Sequence, residues 1–126
     1  MMDQPSIREL VEAVREFLEK RAMPELKGHT AFHARVAANA LGIVSRQLEQ
    51  GPHAAEEERA RLVALLGKEG SLDDLNRALC KQIRDGAIDS PALHKHLELT
   101  TLDKVAIDQP NYSGLKIAQT RKGTTP

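Results

Sequence analysis

Arg35, Asn39 and Arg46 are the residues whose type and helical position most invite chemistry in this chain. In FHARVAANALGIVSRQLEQG, residues 32–51, Phe32, Val36 and Ile43 recur at helical spacing as one apolar stripe. Asn39 falls at the edge of that stripe, and Arg35 and Arg46 run up the same flank. Two uses fit such a trio. An amide at a core edge can bond the backbone of a neighbouring turn, or it can join two guanidinium groups around an anion. The structural latch is the preferred reading, because polar groups at a core edge must be paired. DQPNYSG, residues 108–114, is the turn it would reach, with Arg35 directed at Asp108 or a carbonyl there. Ala34, Ala37, Ala38, Ala40 and Gly42 would let a neighbour approach closely.

Lys104 is the next residue to weigh. It lies in the segment opened by Ser90 and Pro91, among Leu93, Leu97 and Ile107 on one face, and a lysine in an apolar seam needs a partner. Asp108, four residues on, and Asp103 are the nearest carboxylates. The same segment carries a second apolar face, Leu99, Leu102 and Ala106, nearly opposite the first. A helix apolar on both sides is buried on both, by its own bundle or by another protein. With Tyr112 in the following turn, this second face is the expected partner interface, with Leu102 at its centre.

The histidines are a poor metal set. His29 and His33 have i, i+4 spacing, but His29 is expected to precede its helix and no third ligand is marked. His94 and His96 are two apart and point to different sides of theirs. The single cysteine, Cys80, flanks the Leu72, Leu75, Leu79, Ile83 stripe and reads as a small buried thiol; one cysteine cannot form an internal disulfide and suits a reducing compartment. There is no nucleophile elbow, no phosphate-binding glycine loop with its lysine and no kinase catalytic loop. No catalytic residue, cofactor site or metal site is assigned.

The elements that position these residues are helical. Ser6 and Glu9 form a capping box before Ile7, Leu10, Val11, Val14, Phe17 and Leu18, and AMPELKG ends that helix. A second helix is expected from about Thr30 to Gln50, broken by Gly51 and Pro52. A third starts in the acid-rich AAEEERA, whose charges suit a helix N-terminus, and stops at GKEG. Ser71 and Asp74 open a fourth, with Gly86 as its left-handed terminator. Ser90 and Pro91 open the fifth, which Asp108-Gln109-Pro110 halts near Ile107. Residues 113–126 are polar and read as a flexible tail. The expectation is an all-α protein: a single compact bundle of about five helices over residues 1–112, then that tail.

Composition excludes several classes. The 126 residues hold 18 basic and 18 acidic side chains, so no global field favours nucleic acid or an anionic membrane. Trp is absent, and Phe17, Phe32 and Tyr112 are the only aromatics, so there is no base-stacking platform. Packing must come from Leu, Val, Ile and Ala. No run is long enough to span a bilayer and the acidic start lacks a signal-peptide pattern, so a cytoplasmic location is expected.

Two stretches, FHARVAANALGIVSRQLEQG and LDKVAIDQPNYSG, with the opening PSIRELVEAVREFLE, resemble a family of short bacterial helical proteins catalogued as a domain of unknown function. The likeness spans residues 4 to about 114. Members of that family accompany aminoglycoside-phosphotransferase-like kinases and acyl-CoA dehydrogenases. Some look like the small companion subunit of a kinase that phosphorylates hydroxyacyl-CoA in short-chain keto-acid breakdown. The resemblance implies a non-catalytic accessory subunit, and places Arg35, Asn39, Asp103, Lys104, Asp108, Pro110 and Tyr112 among the motif positions. One departure is Gln109-Pro110-Asn111, where the family pattern has Asn-Pro-Arg; the missing arginine argues against direct phosphate contact by that turn. The alternative is a homodimeric helical protein that binds a small anion or acyl-CoA through Arg35 and Arg46.

Overall fold

The computed structural model describes residues 4–124, with side chains as far as Arg121. Among them are five α-helices and no strand: α1 (Ile7–Phe17), α2 (Gly28–Leu66), α3 (Leu72–Arg84), α4 (Pro91–Asp108) and α5 (Ser113–Thr124). The all-α class is as composition requires. The five helices are not the five expected, and packing divides the chain into two compact units, residues 1–51 and 52–126.

The local punctuation follows the sequence. The Glu9 amide donates to the Ser6 hydroxyl at 3.1 Å and the Ser6 amide to the Glu9 carboxylate at 3.5 Å, so α1 starts on its capping box. Such a cap contributes about 1 kcal/mol. Ser71 and Ser90 accept from the Asp74 and Leu93 amides in the same manner, with Pro91 in the first turn of α4. Gly86, at φ 68°, terminates α3, a left-handed conformation that an L side chain adopts only under strain. α1 widens into a π-helical turn at Leu18–Ala22 and then tightens into a 3₁₀ turn at Met23–Glu25 that includes Pro24.

Gly51 and Pro52 do not break the chain. α2 runs through them for 39 residues. Pro52 has no N–H for the Leu48 carbonyl, and an interior proline costs about 3 kcal/mol in an isolated helix. Strong helix formers on both sides, SRQLEQ before and AAEEERARL after, favour continuation, and both flanks are held by their own packing. The dipeptide instead marks where one compact unit ends and the next begins.

The unit 52–126 is built on an aliphatic cluster. Leu62, Leu75, Leu79 and Leu93 are at most 4 % exposed, with Val63, Leu66, Leu72 and Ile88 packed around them. Cys80 is exposed, contrary to the buried-thiol reading, because Leu79 takes the inward position and the next residue turns about 100° away. The stretch from Ser113, read as a tail, forms α5, which packs on α4 and buries Leu115. α5 gives α4 a neighbour that its polar sequence did not announce.

Leu75→Ala should therefore lower the unfolding free energy by about 2–5 kcal/mol, the range for removing a buried leucine side chain. Denaturant titration reads this directly; a loss under 1 kcal/mol would mean that this cluster is not the core.

Candidate functional site

In the unit 1–51, α1 lies antiparallel to the first half of α2, and Val11, Glu12 and Arg15 are its half-buried residues. Arg8 Nη2 donates to Glu49 Oε2 at 2.9 Å. One turn on, the Ser45 hydroxyl donates to Glu12, and Arg15 lies over Gly42, where an added Cβ would come within 3.6 Å of its guanidinium carbon. Arg8, Glu12 and Arg15 thus pair with Glu49, Ser45 and Gly42 in reverse order. The stripe they meet on α2 is small: Ala38 and Ser45 are buried to 1 % and 4 %. The Ser45 hydroxyl and, after it, Arg15 and Arg8 hold the Glu12 carboxyl below its ordinary range against the opposing effect of burial.

The consequence for the other side of α1 is plain. No residue of this helix is buried. Ile7, Leu10, Val14 and Phe17 are 55 %, 46 %, 51 % and 59 % exposed, one continuous apolar stripe at helical spacing. Phe17 also walls an open hollow of about 890 Å³ with Glu16, Lys20, Arg21, Glu25 and Leu26.

The residues singled out in the sequence fall differently. Asn39 and Arg35 are exposed on α2. The reason is that α2 buries the small stripe through Ala38 and Ser45, leaving the Phe32, Val36 side in solvent. Arg46 parts from Arg35: its Nη1 would lie 3.3 Å from a Cβ at Gly42, alongside Arg15. Lys104 and Asp108 are exposed, so the lysine needs no seam partner, and Asp103 is half-buried. Leu102 is only 8 % exposed, with Leu99 and Ala106 half-buried, so α4 presents no open patch centred there. Leu97, assigned to the bundle face, is 43 % exposed, and Tyr112 is 61 % exposed. His29, expected before its helix, sits in the first turn of α2.

The polar constellation that the structure does assemble went unseen in the sequence. In the unit 52–126, Arg61 Nε donates to His96 Nδ1 at 3.0 Å and Arg61 Nη2 donates to Thr100 Oγ1 at 3.1 Å. His96 is 2 % exposed. Accepting at Nδ1 places its proton on Nε2 in the neutral ring. Burial, then the adjacent Arg61 charge, hold its pKa below the ordinary value, with Glu58 opposing. Arg61, Ala64 and Leu65 of α2 with Ala92, Lys95 and His96 of α4 line a cleft of about 290 Å³. The available signal was His96, Thr100 and Leu93 sharing one side of α4 at i, i+4 and i−3, which turns a histidine inward. Its partner stands 35 residues earlier, beyond the reach of spacing rules. His94 by contrast is exposed, 2.9 Å from Asp89.

A family model described as a domain of unknown function, DUF6285, matches residues 24–112. That span covers well over half the chain and includes the Arg61, His96 and Thr100 group, while α1 precedes it. No curated protein and no solved structure matches the chain. Among the described residues, no helix is long and apolar enough to cross a membrane.

His96 sets a pH dependence with a definite sign. Its folded pKa is lowered, so below about 6.5 the unfolded chain binds a proton that the folded chain refuses. Its stabilising contribution is present above that pH and is lost as pH falls. Glu12, also lowered, loses its own contribution only as pH falls below the ordinary glutamate range. Unfolding free energy should accordingly drop between pH 7.5 and 5.5. The His96 ring, followed by NMR, should titrate below the ordinary imidazole value; a ring that titrates at or above it would contradict this.

Proposed function

The chain belongs to this family of domains of unknown function, and from the open face of α1 we propose that it is a non-catalytic accessory subunit. Its partner is an aminoglycoside-phosphotransferase-like kinase acting on hydroxyacyl-CoA in acid catabolism, which it binds and supports. An acyl-CoA dehydrogenase is the second partner in the resemblance that motivates this reading.

The observation that carries the docking role is the stripe of Ile7, Leu10, Val14 and Phe17, each about half exposed on a helix with no buried residue. Contiguous apolar surface of this kind marks association sites, because water is expelled from it when a partner covers it. α1 is also anchored from its charged side, so a partner can cover the stripe without displacing the contacts to α2. This moves the expected interface from α4, where Leu102 is buried, to α1. The identity of the kinase rests on the sequence resemblance alone.

Co-expression with a kinase of that class tests the reading. Val14→Glu would place a charge in the covered stripe and should lower kinase co-purification by at least about tenfold. Because Val14 is 51 % exposed, the melting behaviour of the isolated variant should stay within about 0.5 kcal/mol of the parent. A kinase that is fully active and stable without this chain, or that retains the Val14→Glu variant equally well, would end the proposal.

A further inference from the structure

We propose that a second copy of this chain covers the apolar side of the unit 1–51, closing an antiparallel four-helix arrangement. The inference rests on the reading of the α1 stripe as an association surface, and adds what covers that surface before a kinase does.

Three observations carry it. The unit has no aliphatic core of its own: among its described residues only Ala38, Gly42, Ser45 and Gly51 are buried, none larger than serine. A unit this small obtains its missing core from oligomerisation, a disulfide or a metal. The single cysteine, Cys80, lies outside it, and no cluster of metal ligands occurs among the described residues.

The second observation is where the exposed apolar side chains lie. Ile7 and Val14 each stand one residue before Arg8 and Arg15, which reach across to α2. Val44 and Leu48 each stand one residue before Ser45 and Glu49, which face α1. One residue back is a turn of about 100° in the same sense on each helix. Because the helices run antiparallel, these equal turns bring all four side chains to one side of the pair. They are between 39 % and 55 % exposed, and Leu10 and Phe17 extend that side over α1. At these exposures the six side chains leave on the order of 500 Å² per copy, so two copies together remove about 1,000 Å², enough for a specific dimer.

The third observation is the repeat. Ile7 and Val14 are seven residues apart, as are Leu10 and Phe17, the spacing by which one helix receives another. The occupant is therefore helical, and a second copy supplies a helix of matching length and spacing. Arg21 continues the seven-residue series after Val14, at the C-terminal end of the seam. Parallel pairing would stack Arg21 on Arg21, whereas antiparallel pairing sets the two at opposite ends and opposes the helix dipoles.

Sedimentation equilibrium of the full chain alone, up to about 100 μM, is the test. The expected mass is that of two chains, falling towards one on dilution. Val44→Glu, at a side chain outside the α1 stripe and 44 % exposed, should weaken pairing at least about tenfold with an unchanged circular dichroism spectrum. Independently of any variant, NMR on mixed labelled and unlabelled chain should show contacts between copies at Val14 and Val44. A chain that stays monomeric at that concentration, or copies that touch elsewhere, would overturn the proposal and leave the kinase reading standing. A dimer formed through this side while kinase co-purification fails would uphold it and end the kinase reading instead.

Discussion

One helix must keep its repeat through a proline, and both units are built on that constraint. α2 carries the small stripe of Ala38, Gly42 and Ser45 that receives α1, and beyond Pro52 it carries Arg61 and Leu62 into the second unit. Each half has a different job because each half buries a different side-chain class. The first half buries methyl-sized groups, and the longer charged side chains of the neighbouring helix reach across to cover them. The second half buries leucine, so its neighbours meet through ordinary aliphatic packing. A lost hydrogen bond at Leu48 is tolerable where both flanks are held independently.

The energetics of the two halves differ accordingly. The pairs that seat α1 are half exposed, Arg8 and Glu49 at 50 % and 51 %, and such pairs contribute about 0.2–1 kcal/mol each. The leucines of the second unit each contribute about 1.5–3 kcal/mol by leaving water. α1 is therefore the weakly held part of the protein, and its unsatisfied stripe is the part with most to gain from a covering surface. Glu12 and Arg15 are half-buried with Val11, while Ile7, Leu10, Val14 and Phe17 stay exposed, which departs from ordinary helix docking.

The second unit contains a different exception. Arg61, His96 and Thr100 place a guanidinium, an imidazole and a hydroxyl beside an aliphatic cluster, with donors matched to acceptors. Satisfied in this way, buried polar groups specify one arrangement of α2 against α4 where leucine packing alone is tolerant of sliding. The imidazole must be neutral for this, since only the neutral ring accepts at Nδ1, and burial and the arginine both enforce it. Structure and electrostatics pull in the same direction here.

What the sequence determined by itself was everything governed by a few adjacent residues. Ser6, Ser71 and Ser90 set helix starts, Gly86 set a helix end, and the scarcity of aromatics with helical spacing of the aliphatic residues set the class. The small residues of FHARVAANALG include Ala38 and Gly42, which are buried, with the Arg15 guanidinium lying over Gly42. Only the tertiary structure decided which face each helix turns inward. α2 turned Ala38 and Ser45 inward and left Asn39 exposed, and Leu102 ceased to be a surface because α4 is buried around more than one face. Pro52 reads as a breaker from its own ring and as a helical residue only from its flanks, while His96 takes its meaning from Arg61 in another helix. The reason is physical: caps and turns close hydrogen bonds within one or two turns of chain, whereas the choice between two apolar faces is settled by partners distant in sequence.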